Sequence, residues 1–179
     1  TTFVKSDSER LSPPRPTPPE GAQWAPPAKV IDMVLYRADG GGYLEPGYSH
    51  LFVVPAEGGA ARQVTRGDHP FGGTPCWTRD GKGLLVSTNL DPEWEHQPVE
   101  SDLYRIDVQS GEATRLTNRK GPDDLADLSP EGRRIAYAGF EDRALGYQNW
   151  ELSVLDVGTG RSRRLAQDLD RSVNALQWD

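Results

Sequence analysis

The sequence predicts an all-β fold: a β-propeller of four-stranded antiparallel blades, with about three blades present, so a partial propeller. Three observations predict it. Hydrophobic residues make up only 35% of the chain, while Gly (19) and Pro (15) are abundant across 179 residues, a balance that suits many short strands joined by turns. A strand–turn–strand phrase recurs three times without a gap. A second phrase recurs with it, so each unit of about 50 residues holds two hairpins, which is the length and content of one propeller blade.

The first phrase is SHLFVVPAEGGAARQVT (49–65), SDLYRIDVQSGEATRLT (101–117) and WELSVLDVGTGRSRRLA (150–166), at spacings of 52 and 49 residues. Each copy reads as a β-hairpin around a Gly-containing turn. The second phrase is PCWTRDGKGLLVST (75–88) and ADLSPEGRRIAYAG (126–139), with a third copy beginning at LQWD (176–179). Trp77, Leu128 and Trp178 hold equivalent places in it, 51 and 50 residues apart. The pairs Asp80-Gly81 and Glu131-Gly132 mark tight turns, where glycine takes φ > 0 at little steric cost.

The organisation expected in chain order is therefore as follows. Residues 1–28 form a Pro-rich extended connector, with prolines at 13, 14, 16, 18, 19, 26 and 27 that forbid helix interiors and central strands; Trp24 is a candidate to dock on a neighbouring surface. Residues 29–179 form the partial propeller, with blades at about 29–65, 73–117 and 124–166 and the start of a further one at 173–179. Strands that are apolar on both faces (Leu103 beside Tyr104, Leu152 beside Leu155) fit blades buried between neighbours. Trp77, Gly81, Leu128, Gly132 and Trp178 are structural blade positions, and Trp77 and Trp178 are expected in the core, where Trp77→Ala would cost about 3–5 kcal/mol. An open array leaves unpaired edges, so the piece is expected to be completed by more of its own chain or by a second copy.

Net charge −7 argues against a nucleic-acid partner, which calls for a basic face. A single cysteine, Cys76, forms no internal disulfide and implies no oxidising compartment. No apolar run approaches the roughly 18–20 residues that cross a bilayer, so no membrane partner is expected. TTFVKSDSER lacks the apolar core of a signal peptide, which points to a cytoplasmic location, a periplasmic one staying open if a parent chain carries a leader.

Gly47-Tyr48-Ser49-His50 looks like the front of a serine nucleophile elbow. The elbow needs G-x-S-x-G before a helix, whereas Ser49 precedes His50-Leu51 and a strand, and it aligns with Ser101 of the next repeat. Ser49 reads as a strand residue. His50, His69 and His96 lack ligand spacing, and Asp123-Asp124 near Asp127 is too sparse for a calcium loop. No catalytic residue, metal or cofactor is assigned.

The connectors RADGGGYLEPGY (37–48), DPEWEHQPVE (91–100) and FEDRALGYQN (140–149) join the same pair of strands in successive units and must emerge on one face of the disc. Long loops on one face of a rigid scaffold are where binding concentrates. Glu93, Trp94, Glu95, Glu100, Tyr48 and Tyr147 are the candidate substrate- or partner-binding rim, in which carboxylates beside aromatics suit a cationic peptide N-terminus. The competing reading of the 91–100 connector is a solvated acidic loop.

The phrases WTRDGKGLLVS (77–87) and SPEGRRIAYA (129–138) resemble the W-S-P-D-G-K-x-I-A-F phrase of TolB-like propellers and of the propeller in the prolyl oligopeptidase family of serine peptidases. PPAKVIDMVLYRADGGGYLEPGYSHLFVVPAEGG (26–59) resembles a segment carried by acylaminoacyl-peptidase-like members. The resemblance implies a propeller that caps an α/β-hydrolase domain, filters peptides by size and helps to hold them, with the Ser-Asp-His triad on that other domain. On this reading the chain is non-catalytic by itself and its partners are a peptide substrate or the hydrolase domain of a parent peptidase. The alternative is a stand-alone TolB-like interaction module, completed by homodimerisation.

Overall fold

In chain order the strands of the computed structural model are β1 (Thr2–Lys5), β2 (Arg37–Ala38), β3 (Gly42–Tyr43), β4 (Gly47–His50), β5 (Phe52–Val53), β6 (Arg62–Gln63), β7 (Cys76–Trp77), β8 (Gly83–Thr88), β9 (Asp102–Asp107), β10 (Ala113–Arg115), β11 (Asp123–Leu128), β12 (Arg134–Gly139), β13 (Glu151–Asp156) and β14 (Ser162–Arg164). The structure describes residues 1–5, 16–25 and 31–178. Among these the sole helical element is a 3₁₀ turn at Trp94–His96.

Two four-stranded antiparallel sheets carry the fold, in the orders β7-β8-β9-β10 and β11-β12-β13-β14. Each is a meander in which neighbours in sequence pair, as blades require. The repeated hairpins share one register. Val53 faces Arg62, Arg105 faces Thr114 and Val154 faces Arg163, positions that the ungapped repeat alignment makes equivalent. The turns before β8 and β12 also match: Gly81 N–H donates to Thr78 O and Gly132 N–H to Ser129 O, with φ of 65° and 74°. Thr78 and Ser129 then accept, on their hydroxyls, the N–H of Gly83 and Arg134.

The central blade is buried on both faces because successive side chains of a strand point to opposite sides. Leu84, Val86, Tyr104 and Ile106 pack on one side with Leu51, Val64 and Phe71. Leu85 and Leu103 pack on the other with Ile135, Tyr137 and Leu155 of the following blade. Burial of such side chains stabilises by about 1.5–3 kcal/mol each, so these two layers hold the blades face to face. The fold is an all-β partial propeller.

A polar clasp repeats with the blades. Thr117 Oγ1 accepts from Leu103 N–H (3.0 Å) and donates to Asp102 (3.2 Å), while Thr65 Oγ1 accepts from Leu51 N–H (3.0 Å) and lies 3.3 Å from His50 Nδ1. Arg115 pairs with Asp102, and Arg164 pairs with Glu151 at 3.0 Å. Burial pushes the Asp102 carboxyl above its usual range, against the pull of Arg115.

Four details differ from the sequence reading. Thr2–Lys5 is no part of a connector: it is β1, paired antiparallel with β4 through Phe3 opposite Ser49 and Val4 opposite Tyr48. A four-residue strand with no adjoining turn signal has no local signature, so only its distant partner reveals it. Within 31–65 the described residues form the two-stranded pairs β2-β3 and β5-β6, while β4 pairs with β1 from outside this range, and there is no four-stranded sheet. Trp77 is 51% exposed and so is not a core residue, whereas Leu128 and Trp178 are half-buried. Trp178 is covered because it bonds to Asp127 of β11 through its backbone and indole N–H. Residues 173–178 pair through single bonds such as Val173 N–H to Trp150 O (2.9 Å) without forming a strand. Pro13, Pro14, Pro26, Pro27 and Asp179 of the expected segments lie outside the described residues.

Candidate functional site

The β8–β9 and β12–β13 connectors leave the same end of adjacent blades, and the first connector folds on itself as the β2–β3 hairpin. The β8–β9 connector is built by its own short polar side chains. Asn89 Oδ1 accepts from Asp91 N–H (2.9 Å), Asp91 Oδ1 accepts from Glu93 N–H (2.8 Å), and the chain turns into the 3₁₀ segment that starts at Trp94. Such side-chain-to-backbone bonds favour turns over strand pairing, which is why this stretch presents Trp94 instead of lengthening the sheet.

Trp94 meets Tyr48 edge to face, with ring centroids 6.0 Å apart and planes at 76°, a geometry that aromatic quadrupoles favour. The His69 ring centroid lies 6.5 Å from that of Trp94, and its buried Nδ1 has no hydrogen-bond partner among the described residues. Glu95 Oε2 accepts from Val34 N–H at 2.8 Å, tying the second blade's connector to the segment that precedes β2.

Tyr48 and Trp94 line a cavity of about 440 Å³. Phe3, Tyr36, Tyr43, Leu44, Tyr48 and Trp94 line it with apolar and aromatic side chains, and Asp32 and Glu45 are the charged residues on its lining, Glu45 being paired with Lys5 at 3.2 Å. Burial raises the Tyr48 phenol above its ordinary pKa, and the negative charges of Asp68, Glu95 and Asp32 raise it further.

Of the six rim residues expected from the sequence, Tyr48 and Trp94 line this cavity and Glu95 fastens one of its walls. Glu100 turns toward the next blade, where Oε2 accepts from Gly121 N–H (2.8 Å). Glu93 faces His96 at 3.4 Å. Tyr147 is 76% exposed on the third connector, away from the lining. Phe3, Tyr36 and Leu44 were not legible as site residues. Tyr36 and Leu44 sit next to the Gly-rich stretch 40–42, and their backbones pair (Leu44 N–H to Tyr36 O, 2.8 Å), which is the one local signal that would have joined them.

Ser49 lies in β4 opposite Phe3, and its carbonyl accepts from Phe71 N–H at 2.7 Å. It is a strand residue. His50, next in the strand, is 4% exposed, and burial followed by the charge of Arg66 lowers its pKa. Another buried titratable group sits at the start of β11, where Asp123 is fully buried and pairs with Arg119; burial raises its carboxyl.

Comparison with known proteins places these features. The model of the dipeptidyl peptidase IV (DPP IV) N-terminal region matches residues 78–168. An uncharacterized peptidase of Bacillus subtilis, YuxL, is 31% identical over 146 residues, covering 65% of this chain and 21% of that protein. The Tol-Pal system protein TolB of Francisella tularensis subsp. tularensis is 32% identical over 101 residues, covering 55% of this chain and 20% of TolB. The chain thus spans about a fifth of the length of these two relatives. Among solved structures, puromycin hydrolase aligns with a TM-score of 0.45 at 23% identity, covering 72% of this chain and 18% of that one. The chain belongs to the family of the dipeptidyl peptidase IV N-terminal region and is a propeller portion of the prolyl oligopeptidase type with TolB-like repeats.

Proposed function

We propose that this chain is the substrate-facing propeller of a serine peptidase of the prolyl oligopeptidase family, gating and orienting peptides for a hydrolase domain carried elsewhere in the parent protein. On this reading the chain contributes binding surface and no catalytic residue. The observation that supports it is the Tyr48–Trp94 contact, by which connectors of neighbouring blades enclose one cavity on one face. A half-open, largely apolar cavity with a few polar groups is the usual form of a small-ligand site. The coding sequence beyond Asp179 tests the reading: a G-x-S-x-G segment within a few hundred codons is the expected result. A native stop codon directly after Asp179 would contradict it.

The TolB relationship supports a second reading, an interaction module whose open blade edges are closed by a second copy. Light scattering after size exclusion separates the two. An obligate dimer at micromolar concentration favours the module, and a monomer removes it.

A further inference from the structure

We propose that residues 31–36 are a second claimant to the sheet edge that β1 occupies, so that the first blade exchanges strands and the cavity exists only while β1 is docked. The inference concerns the pairing of this chain's own strands and goes beyond the parent-peptidase reading.

The repeat spacing supplies the occupant. Shifting β8 (Gly83–Thr88) back by 52 residues, the spacing of the first two hairpin copies, lands on Ile31–Tyr36. β8 pairs with β9 along its whole length, from Gly83 opposite Asp107 to Thr88 opposite Asp102. The same shift sets Leu35 opposite Leu51, Val34 opposite Phe52 and Met33 opposite Val53. Residues 31–36 nevertheless form no strand, and Ile31, Val34, Leu35 and Tyr36 are exposed. β5 pairs with β6 and with no other strand among the described residues, so its second edge is open to them.

Packing favours the exchange. Leu51 is buried with Leu84 and Val86 of the second blade, and Val53 packs against that cluster. Side chains directly opposed in an antiparallel pair lie on one face, so Leu35 and Met33 would join this apolar layer. What opposes the exchange is β1, whose residues 2–5 sit opposite 50–47. The shift gives those same places to Tyr36, Arg37, Ala38 and Asp39, and a strand edge takes one neighbour, at about 4.8 Å. The hold of β1 is slight: it has four residues and an exposed Lys5–Glu45 pair at 3.2 Å, of the kind that contributes little. The two-pair β2–β3 hairpin and the Val34–Glu95 bond are given up in the exchange. Phe3, Met33 and Tyr36 leave the cavity lining with it. Docked β1 is therefore a strap that maintains the cavity.

The test traps each state by a disulfide at position 49 of the 179-residue chain, in a Cys76→Ser background. The Ser49 carbonyl is bonded to Phe71 N–H, so Ser49 faces Phe3 as a non-hydrogen-bonded pair, the closer kind, within reach of a disulfide. Phe3→Cys with Ser49→Cys traps docked β1, and Arg37→Cys with Ser49→Cys traps the exchanged strand. Asp39→Cys with Ser49→Cys, two residues out of register, is the control. Each double variant is equilibrated in glutathione buffer, and the intramolecular bond is quantified by peptide mass mapping. The Phe3 and Arg37 pairs are expected to close, the Arg37 pair at least about tenfold more favourably than the Asp39 pair. Adding Val4→Pro, which removes a pairing N–H from β1, is expected to favour closure of the Arg37 pair by about fivefold and to disfavour the Phe3 pair. An Arg37 pair that closes no better than the control overturns the proposal. A Phe3 pair that stays open overturns it too, as does an Arg37 pair indifferent to Val4→Pro. The coding sequence decides the parent-peptidase reading, which stands or falls apart from these outcomes.

Discussion

Trp178 is joined to Asp127, 51 residues earlier, by two hydrogen bonds: its backbone N–H donates to Asp127 Oδ2 and its indole N–H to the Asp127 backbone carbonyl, both at 3.0 Å. The other oxygen of the same carboxylate faces Cys76 Sγ at 3.9 Å, again 51 residues away. Asp127 therefore links three successive repeats through their equivalent inner segments. Trp178→Phe keeps the ring and deletes the indole donor, and it should cost about 1 kcal/mol of stability, the usual net worth of one hydrogen bond. A urea midpoint equal to that of the parent chain would show that the bond contributes nothing.

Trp77 occupies the same repeat position and stands 51% exposed. Its truncation to Ala should consequently cost well below the 3–5 kcal/mol of a buried aromatic, about 1 kcal/mol. Leu103 is fully buried, and Leu103→Ala should cost about 2–5 kcal/mol in the same denaturation series. An inverted order of the two midpoints would contradict the described blade packing.

The repeating clasp makes a separate prediction. Thr117→Val is nearly isosteric but leaves Leu103 N–H without its acceptor and removes one donor from buried Asp102. The cost should be about 1–3 kcal/mol, the penalty of an unsatisfied buried donor. Thr65→Val should behave alike, because it strips the acceptor from Leu51 N–H. Loss at one site and indifference at the other would break the equivalence of the two blades.

His50 gives a pH dependence with a definite sign. Burial and Arg66 lower its pKa in the fold below the ordinary value of 6.5, so on acidification the unfolded chain takes up the proton first. The stability contributed by neutral His50 is full above pH about 6.5 and is lost as pH falls through the lower folded value. Comparing urea midpoints of the parent chain and His50→Asn between neutral and mildly acidic pH, the parent should lose more stability than the variant. Parallel curves would contradict the account.

How much of this was legible in the sequence divides along one physical line. The hairpin registers at Val53–Arg62, Arg105–Thr114 and Val154–Arg163 were legible because turn residues and strand alternation act over a dozen residues and recur. The turns at Gly81 and Gly132 were legible for the same reason. Trp77 and Trp178 carry the same local signal yet differ in burial, because burial there depends on the neighbouring blade. The cavity was legible in part. Trp94 and Tyr48 announce themselves as aromatics in long connectors, but Phe3 reaches the site through β1 pairing with β4 more than forty residues away. Glu93, Glu100 and Tyr147 share the connectors' composition, and backbone geometry turns them elsewhere.

The most direct test of the central claim, that peptides dock on the connector face at the Tyr48–Trp94 cavity, uses the indole N–H signals of the five tryptophans in a nitrogen–proton correlation spectrum, assigned by substitution. The chain is titrated in turn with acetylated pentapeptides bearing a basic, an apolar or an acidic central residue. The account predicts that at least one peptide moves the Trp94 signal progressively to saturation while Trp77 and Trp178 stay in place. Movement confined to Trp77 or Trp178, or an unchanged Trp94 signal with every peptide, would contradict it.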